Sequence, residues 1–212
     1  MTQPEPTRRP WIAAALALFA LMMVPVAAYA EDDPANIVRG AADRLIEQLD
    51  AQREQLKANP DIARRLVRDE LLPIMDTVFS ARLILGRAGR NATDKQVEDF
   101  AEALSTSLID RYATGVVEYR DGDQMEVLPT RGDPNPRMTR VRTRVQLPDG
   151  KHLPVDYVFH KTDGGDWKAF DVIVEGISYV TTFRSQIMPQ VEASGIEAVT
   201  ARLRSGELAL EE

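Results

Sequence analysis

The chain has 212 residues, 44% of them hydrophobic and 28% charged, a balance that excludes wholesale disorder, collagen-like repeats and a multi-span membrane protein. Its formal net charge of −7 lacks the broad positive footprint that phosphate backbones demand, so nucleic acid is not an expected partner. There is no cysteine, which removes disulfides, thiolate nucleophiles and Cys-ligated metals; His152 and His160 are the only imidazoles, so neither metal nor other cofactor is expected.

Residues 1–30 differ in composition from the rest. Arg8 and Arg9 form a short positive region, Trp11 to Val24 is an uncharged apolar run, and Ala28-Tyr29-Ala30 is an A-x-A cleavage triplet. This pattern predicts a signal peptide over 1–30, cleaved after Ala30, and a single domain over 31–212. Pro25 and the triplet shorten the apolar run below a comfortable membrane span. The arginine pair before bulky apolar residues fits both the general and the twin-arginine export routes. The mature chain of 182 residues carries 24 basic and 32 acidic side chains, a net of −8, and is expected to be soluble in the periplasm.

Helical spacing governs the first half of that chain. From Ala35 to Lys57, Ile37, Val38, Ala41, Ala42, Leu45, Ile46 and Leu49 recur every three or four residues, with charged residues between them. Asn59-Pro60-Asp61 supplies an N-cap, a first-turn proline and an early acid for a second helix, which turns Ile62, Leu66, Val67 and Leu71 inward until Pro73 kinks or ends it. Ile74 to Leu85 is a third apolar segment, closed by Gly86 and Gly89. Thr93-Asp94-Lys95-Gln96 is a capping-box signature, opening a helix with Val97, Phe100, Ala101, Leu104, Leu108 and Tyr112 on one stripe.

After about Tyr119 the period changes to two. Met125 and Val127 begin weakly; Val141, Val145 and Leu147 then alternate with Arg140, Arg142 and Arg144. Pro148-Asp149-Gly150 is a turn, Val155, Tyr157 and Phe159 mark the next strand, Asp163-Gly164-Gly165 turns again, and Trp167 to Val174 is a further strand. Tyr179 to Val191 is helical, and Ser194-Gly195-Ile196-Glu197 reads as a capping box for a last helix through Leu203. The resulting class is α+β, a curved antiparallel sheet packed against N-terminal and C-terminal helices, in one domain. Pro129 to Pro136 is the one loop of note.

Chemistry-bearing residues are few. An extended strand places His152 and His160 roughly 26 Å apart, which rules out a shared metal site within it and predicts surface roles. Asp171 has two readings: a general base in a cone-shaped pocket, assisted by Tyr157 or Tyr112, or a structural carboxylate bonded to a helix N-terminus or an arginine. The structural reading is favoured because no catalytic partner is evident. Glu175-Gly176-Ile177-Ser178 is not a nucleophile elbow, and Gly86-Arg87-Ala88-Gly89 lacks the context of a dinucleotide fingerprint and reads as helix termination. Parity places the Arg140, Arg142 and Arg144 stripe on a solvated face.

Ala58-Asn59-Pro60-Asp61, Asp69-Glu70-Leu71-Leu72-Pro73, Leu83 to Gly86 with Ala92-Thr93, and the run from Trp167 to Ser178 with Thr181-Thr182 together resemble the MlaC, or toluene-tolerance auxiliary, family. The similarity runs through residues 34 to 204. It implies an NTF2-like curved sheet with added helices enclosing an apolar pocket, and a periplasmic carrier of glycerophospholipid without catalytic residues. It further implies docking to an inner-membrane ABC transporter complex with an MCE-domain ring and to an outer-membrane lipoprotein–porin complex, in the service of outer-membrane lipid asymmetry. A monomer is expected, with bound phospholipid as cargo and no cofactor. The expected pocket lining is Val141, Val145, Leu147, Val155, Tyr157, Phe159, Phe170, Val172, Val174 and Ile177 from the sheet side, and Leu72, Phe79, Leu83 and Leu108 from the helices; parity alone does not separate such a lining from a packed core. The alternatives are a periplasmic enzyme built on Asp171 and an adaptor that binds protein alone.

Overall fold

The computed structural model describes residues 33–117, 125–129, 135–147 and 150–210, without the side chains of residues 114, 116 and 117. The leader with its cleavage site, and parts of the Pro129 to Pro136 loop and of the turn before Gly150, lie outside the described residues. Where the sequence offers local start signals, helices begin at them. Asp33 accepts a hydrogen bond from the Ala35 amide and Pro34 occupies the first turn of α1 (Pro34–Ala58); Asn59 accepts from the Asp61 amide at 3.1 Å ahead of α2 (Pro60–Leu71). Pro73 follows within a 3-10 turn, Leu72–Ile74, which redirects the chain into α3 (Thr77–Asn91), capped by Asp76 through the Phe79 amide. The Thr93 capping box forms in both directions, Gln96 N–H to Thr93 Oγ1 and Thr93 N–H to Gln96 Oε1, at the head of α4 (Asp94–Val117).

Five antiparallel strands follow in sequence order: β1 (Met125–Val127), β2 (Met138–Gln146), β3 (His152–Lys161), β4 (Trp167–Val174) and β5 (Ile177–Ser178). Two helices, α5 (Tyr179–Ser194) and α6 (Ile196–Arg204), complete the described fold. Ser178 caps α5 through the Thr181 amide. The helical core joins α3, α4, α5 and α6 through Leu85, Phe100, Ile187 and Val199, all fully buried. A second cluster seats Val38 of α1 on Val141, Phe159 and Ala169 of the sheet. Ion pairs stitch the outside, Arg44 to Glu70 between α1 and α2 and Arg64 to Asp110 between α2 and α4. The arginine stripe of β2 lies outward as parity predicts, with Arg140 paired to Asp156 across the strands.

Four local expectations are revised. Gly86 does not end α3: it takes φ 55° and ψ −117°, kinks the helix, and lets it resume to Asn91. The Ser194 capping box does not form; Gly195 is the N-cap of α6, and the Ser194 hydroxyl donates back to the Gln190 carbonyl. β4 carries a bulge, so Ala169 pairs with Phe159 while Val172, three residues on, pairs with Tyr157 only two residues back. His160 is half-buried rather than at the surface, its ring stacked 4.2 Å from Phe79 and its Nε2 2.9 Å from Asp76 Oδ2, whereas His152 is exposed as expected. The stacking partner and the carboxylate come from α3 and its cap, which strand parity does not reveal.

The Gly86 kink also places its Cα against the Arg184 guanidinium, 3.0 Å from where a Cβ would stand. Gly86→Ala therefore combines a strained backbone with a steric contact, and urea denaturation is expected to show a loss of about 1–3 kcal/mol with an unchanged m-value. An unaltered midpoint would show that the kink tolerates a side chain.

Candidate functional site

Between the helical core and the sheet lies a cavity of about 280 Å³. Its walls come from seven elements: Val67 and Leu71 of α2, Leu72 and Ile74 of the 3-10 turn, Ile84 of α3, Leu104, Leu108, Ile109 and Tyr112 of α4, Tyr157 of β3 with Phe170 and Val172 of β4, and Tyr179, Val180 and Phe183 of α5. Spacings of four residues, Val67 to Leu71 on α2 and Leu104 to Leu108 to Tyr112 on α4, place these side chains on single faces.

Two polar groups that border the cavity are engaged within the protein. The Ser80 hydroxyl donates to the Phe170 carbonyl at 2.7 Å and contacts the Asp76 carbonyl at 2.8 Å. Asp171 accepts from the Ser178 hydroxyl at 2.6 Å on one oxygen and from the Val180 amide at 3.0 Å on the other. It thus closes the N-terminus of α5, where a carboxylate satisfies an orphan amide and meets the positive end of the helix dipole. Of the two readings of Asp171, the geometry matches the structural carboxylate bonded to a helix N-terminus. Burial pushes the Tyr157 phenol upward from its ordinary value of 10.0, so the ring faces the cavity as a neutral surface. Among the described residues no three His, Asp or Glu side chains gather as metal ligands, and no helix is long and apolar enough to cross a membrane.

Of the residues expected to line a pocket, the structure brings Leu72, Leu108, Tyr157, Phe170 and Val172 together on this wall. It places the others elsewhere. Phe79 lies behind Phe170, edge-on at 5.1 Å, in the stack with His160. Val141 and Phe159 pack against α1, and Val155 is buried where β3 pairs with Thr143 of β2 and Val174 of β4. Val145 pairs with Met125 toward the sheet edge, Leu147 closes the turn through Lys151, and Leu83 is half-buried on α3. Val174 is half-buried opposite Ile177, which is itself 58% exposed on β5. The physical reason is α1, which packs on Val141 of β2, Phe159 of β3 and Ala169 of β4 and leaves Tyr157 of β3 with Phe170 and Val172 of β4 to border the cavity. Val67, Ile109, Val180 and Phe183 are wall residues that strand parity could not supply; their signal was the apolar helix stripes, which read equally as core.

A sequence model of the MlaC protein family matches residues 39–205. The Pseudomonas putida toluene tolerance protein ttg2D is 30% identical over 179 residues, spanning 84% of this chain and 82% of its own length. The Haemophilus influenzae intermembrane phospholipid transport system binding protein MlaC is 23% identical over 198 residues, 92% of this chain and 91% of that protein. A phospholipid-binding protein from Ralstonia solanacearum, solved in complex with a phospholipid, superposes with a TM-score of 0.73 over 82% of this chain and 96% of its own, at 21% identity.

Two outcomes follow from the polar geometry. Asp171→Ala leaves the Val180 amide and the Ser178 hydroxyl without their acceptor, and a loss of about 1–2 kcal/mol is expected in thermal or urea unfolding; full stability would remove the carboxylate from its structural role. Because folding raises the Tyr157 pKa, its contribution is present below the unfolded value and is lost as pH rises through the folded one. Stability should therefore fall above about pH 10, and Tyr157→Phe should flatten that alkaline decline. An identical alkaline decline in the variant would locate it in other groups.

Proposed function

The chain belongs to the MlaC protein family, and from that premise we propose that it is a periplasmic carrier that shuttles glycerophospholipid between the outer and inner membranes and so maintains outer-membrane lipid asymmetry. At the coarser level it is a phospholipid-binding transport protein and not an enzyme. The observation that carries the reading is the cavity wall: aliphatic and aromatic side chains from seven elements, with Ser80 and Asp171 turned to partners within the protein. Such a wall replaces solvent for hydrocarbon. Two acyl chains of about fourteen methylenes each cost on the order of 20 kcal/mol to expose to water, at about 0.8 kcal/mol per methylene. That cost makes spontaneous crossing of an aqueous space slow and makes a carrier with apolar walls necessary.

The leader supports delivery to the periplasm, where the mature domain works as a monomer with phospholipid as its cargo. Its proposed partners are an inner-membrane ABC transporter complex with an MCE-domain ring and an outer-membrane lipoprotein–porin complex. The acidic net charge works against electrostatic adhesion to anionic membranes and leaves docking to those partners.

Protein purified after expression in bacteria is expected to yield about one phospholipid per chain on extraction and mass spectrometry. Leu108→Glu, which puts a carboxylate on the wall, should lower that content by about fivefold or more, while Ile177→Glu on the exposed β5 should leave it unchanged. Lipid-free protein that also takes up none from vesicles would contradict the proposal.

A further inference from the structure

A second cavity of about 510 Å³ adjoins the first, and Leu72, Thr77 and Ser105 stand on the walls of both. Its character is different. Arg68 of α2 faces it together with Glu98 and Glu102 of α4 and the hydroxyl of Thr106. Arg68 is half-buried in the last turn of α2, and its guanidinium makes no hydrogen bond or ion pair among the described residues. Five N–H donors that face a cavity and are bonded to no acceptor among the described residues suit a phosphodiester, which takes a guanidinium in bidentate fashion. Glu98 and Glu102 are one helical turn apart, so their like charges lie on the same face of α4, an arrangement that a cation between them relieves. Glu102 also lies 3.4 Å from Arg204, which is shared with Asp99 at 3.6 Å; Glu98 has no such partner among the described residues.

We propose that this second cavity is a headgroup subsite for a zwitterionic phospholipid, with Arg68 on the phosphate and Glu98 and Glu102 on the ammonium of an ethanolamine-type headgroup. The inference rests on the carrier reading, since only a lipid whose chains enter the first cavity brings its phosphate to Arg68. One cation against two carboxylates complements a phosphate followed by an amine and disfavours a headgroup whose only charge is the phosphate.

The test uses the full chain incubated with vesicles containing equal amounts of phosphatidylethanolamine and phosphatidylglycerol of identical acyl chains, followed by extraction and quantitation of the bound lipid. The protein should take up the ethanolamine lipid in about threefold excess, the magnitude of exposed charge pairs. Glu98→Gln with Glu102→Gln should abolish that excess by lowering uptake of the ethanolamine lipid to that of the glycerol lipid, and Arg68→Gln should lower uptake of both lipids by about fivefold. Thermal melts confirm that each variant is folded; both glutamates are exposed, so their replacement leaves the core intact. Inorganic phosphate in excess should not reduce uptake, and displacement by phosphate would make this a free-anion site and overturn the subsite. Equal uptake of the two lipids, a preference that survives in the double variant, or an unchanged Arg68→Gln would overturn it while leaving the carrier reading standing. Uptake of neither lipid by folded protein would end both.

Discussion

The cavity depends on how the helices are anchored to the bulged strand β4. Three successive residues there each hold the start of a helix: the Ala169 carbonyl accepts from the Asp76 amide at 2.7 Å, the Phe170 carbonyl from the Ser80 hydroxyl, and the Asp171 carboxylate from Ser178 and the Val180 amide. The first two position α3 and the third positions α5. Because these polar groups meet their partners at the rim, the side chains of Phe170 and Val172 are left as hydrocarbon facing α2 and α4. An unmade bond at any of these positions would leave a buried polar group at a cost of about 1–3 kcal/mol and would put a hydrophilic spot beside the cavity.

The same economy explains why the interior holds little chemistry. The largest favourable term available to a lipid carrier is hydrocarbon burial, on the order of 20 kcal/mol for two chains, whereas each exposed charge pair contributes about 1 kcal/mol or less. Capacity is therefore set by apolar wall rather than by charge. The division between a hydrocarbon cavity and a charged neighbouring cavity, sharing Leu72, Thr77 and Ser105, follows that ranking.

Local signals were legible in the sequence where a single residue decides the outcome. Asn59-Pro60, the Thr93 to Gln96 capping box and the bounds of the strand from Trp167 to Val174 need no tertiary information, and all take the expected form. Features that depend on distant partners were not legible. The side chain that Ser194 would have offered α6 is spent on Gln190, His160 finds Phe79 and Asp76 across 81 and 84 residues of chain, and the β4 bulge changes parity midway along the strand. The wall itself was half visible for the same reason. Val141 and Phe159 alternate as well as Tyr157 does, and only the position of α1 decides that the first two are closed off while Tyr157, packed at the edge of the same cluster, reaches the cavity.

Photocrosslinking addresses the central claim most directly. A phospholipid bearing a diazirine midway along one acyl chain, loaded into the full-length protein and irradiated, should label peptides from α2, α4, β4 and α5 on digestion and mass spectrometry, with Leu71, Leu108, Val172 and Phe183 as the adduct sites. Adducts confined to β2, to the exposed β5 or to the outer faces of the helices would contradict a hydrocarbon site between the helices and β4.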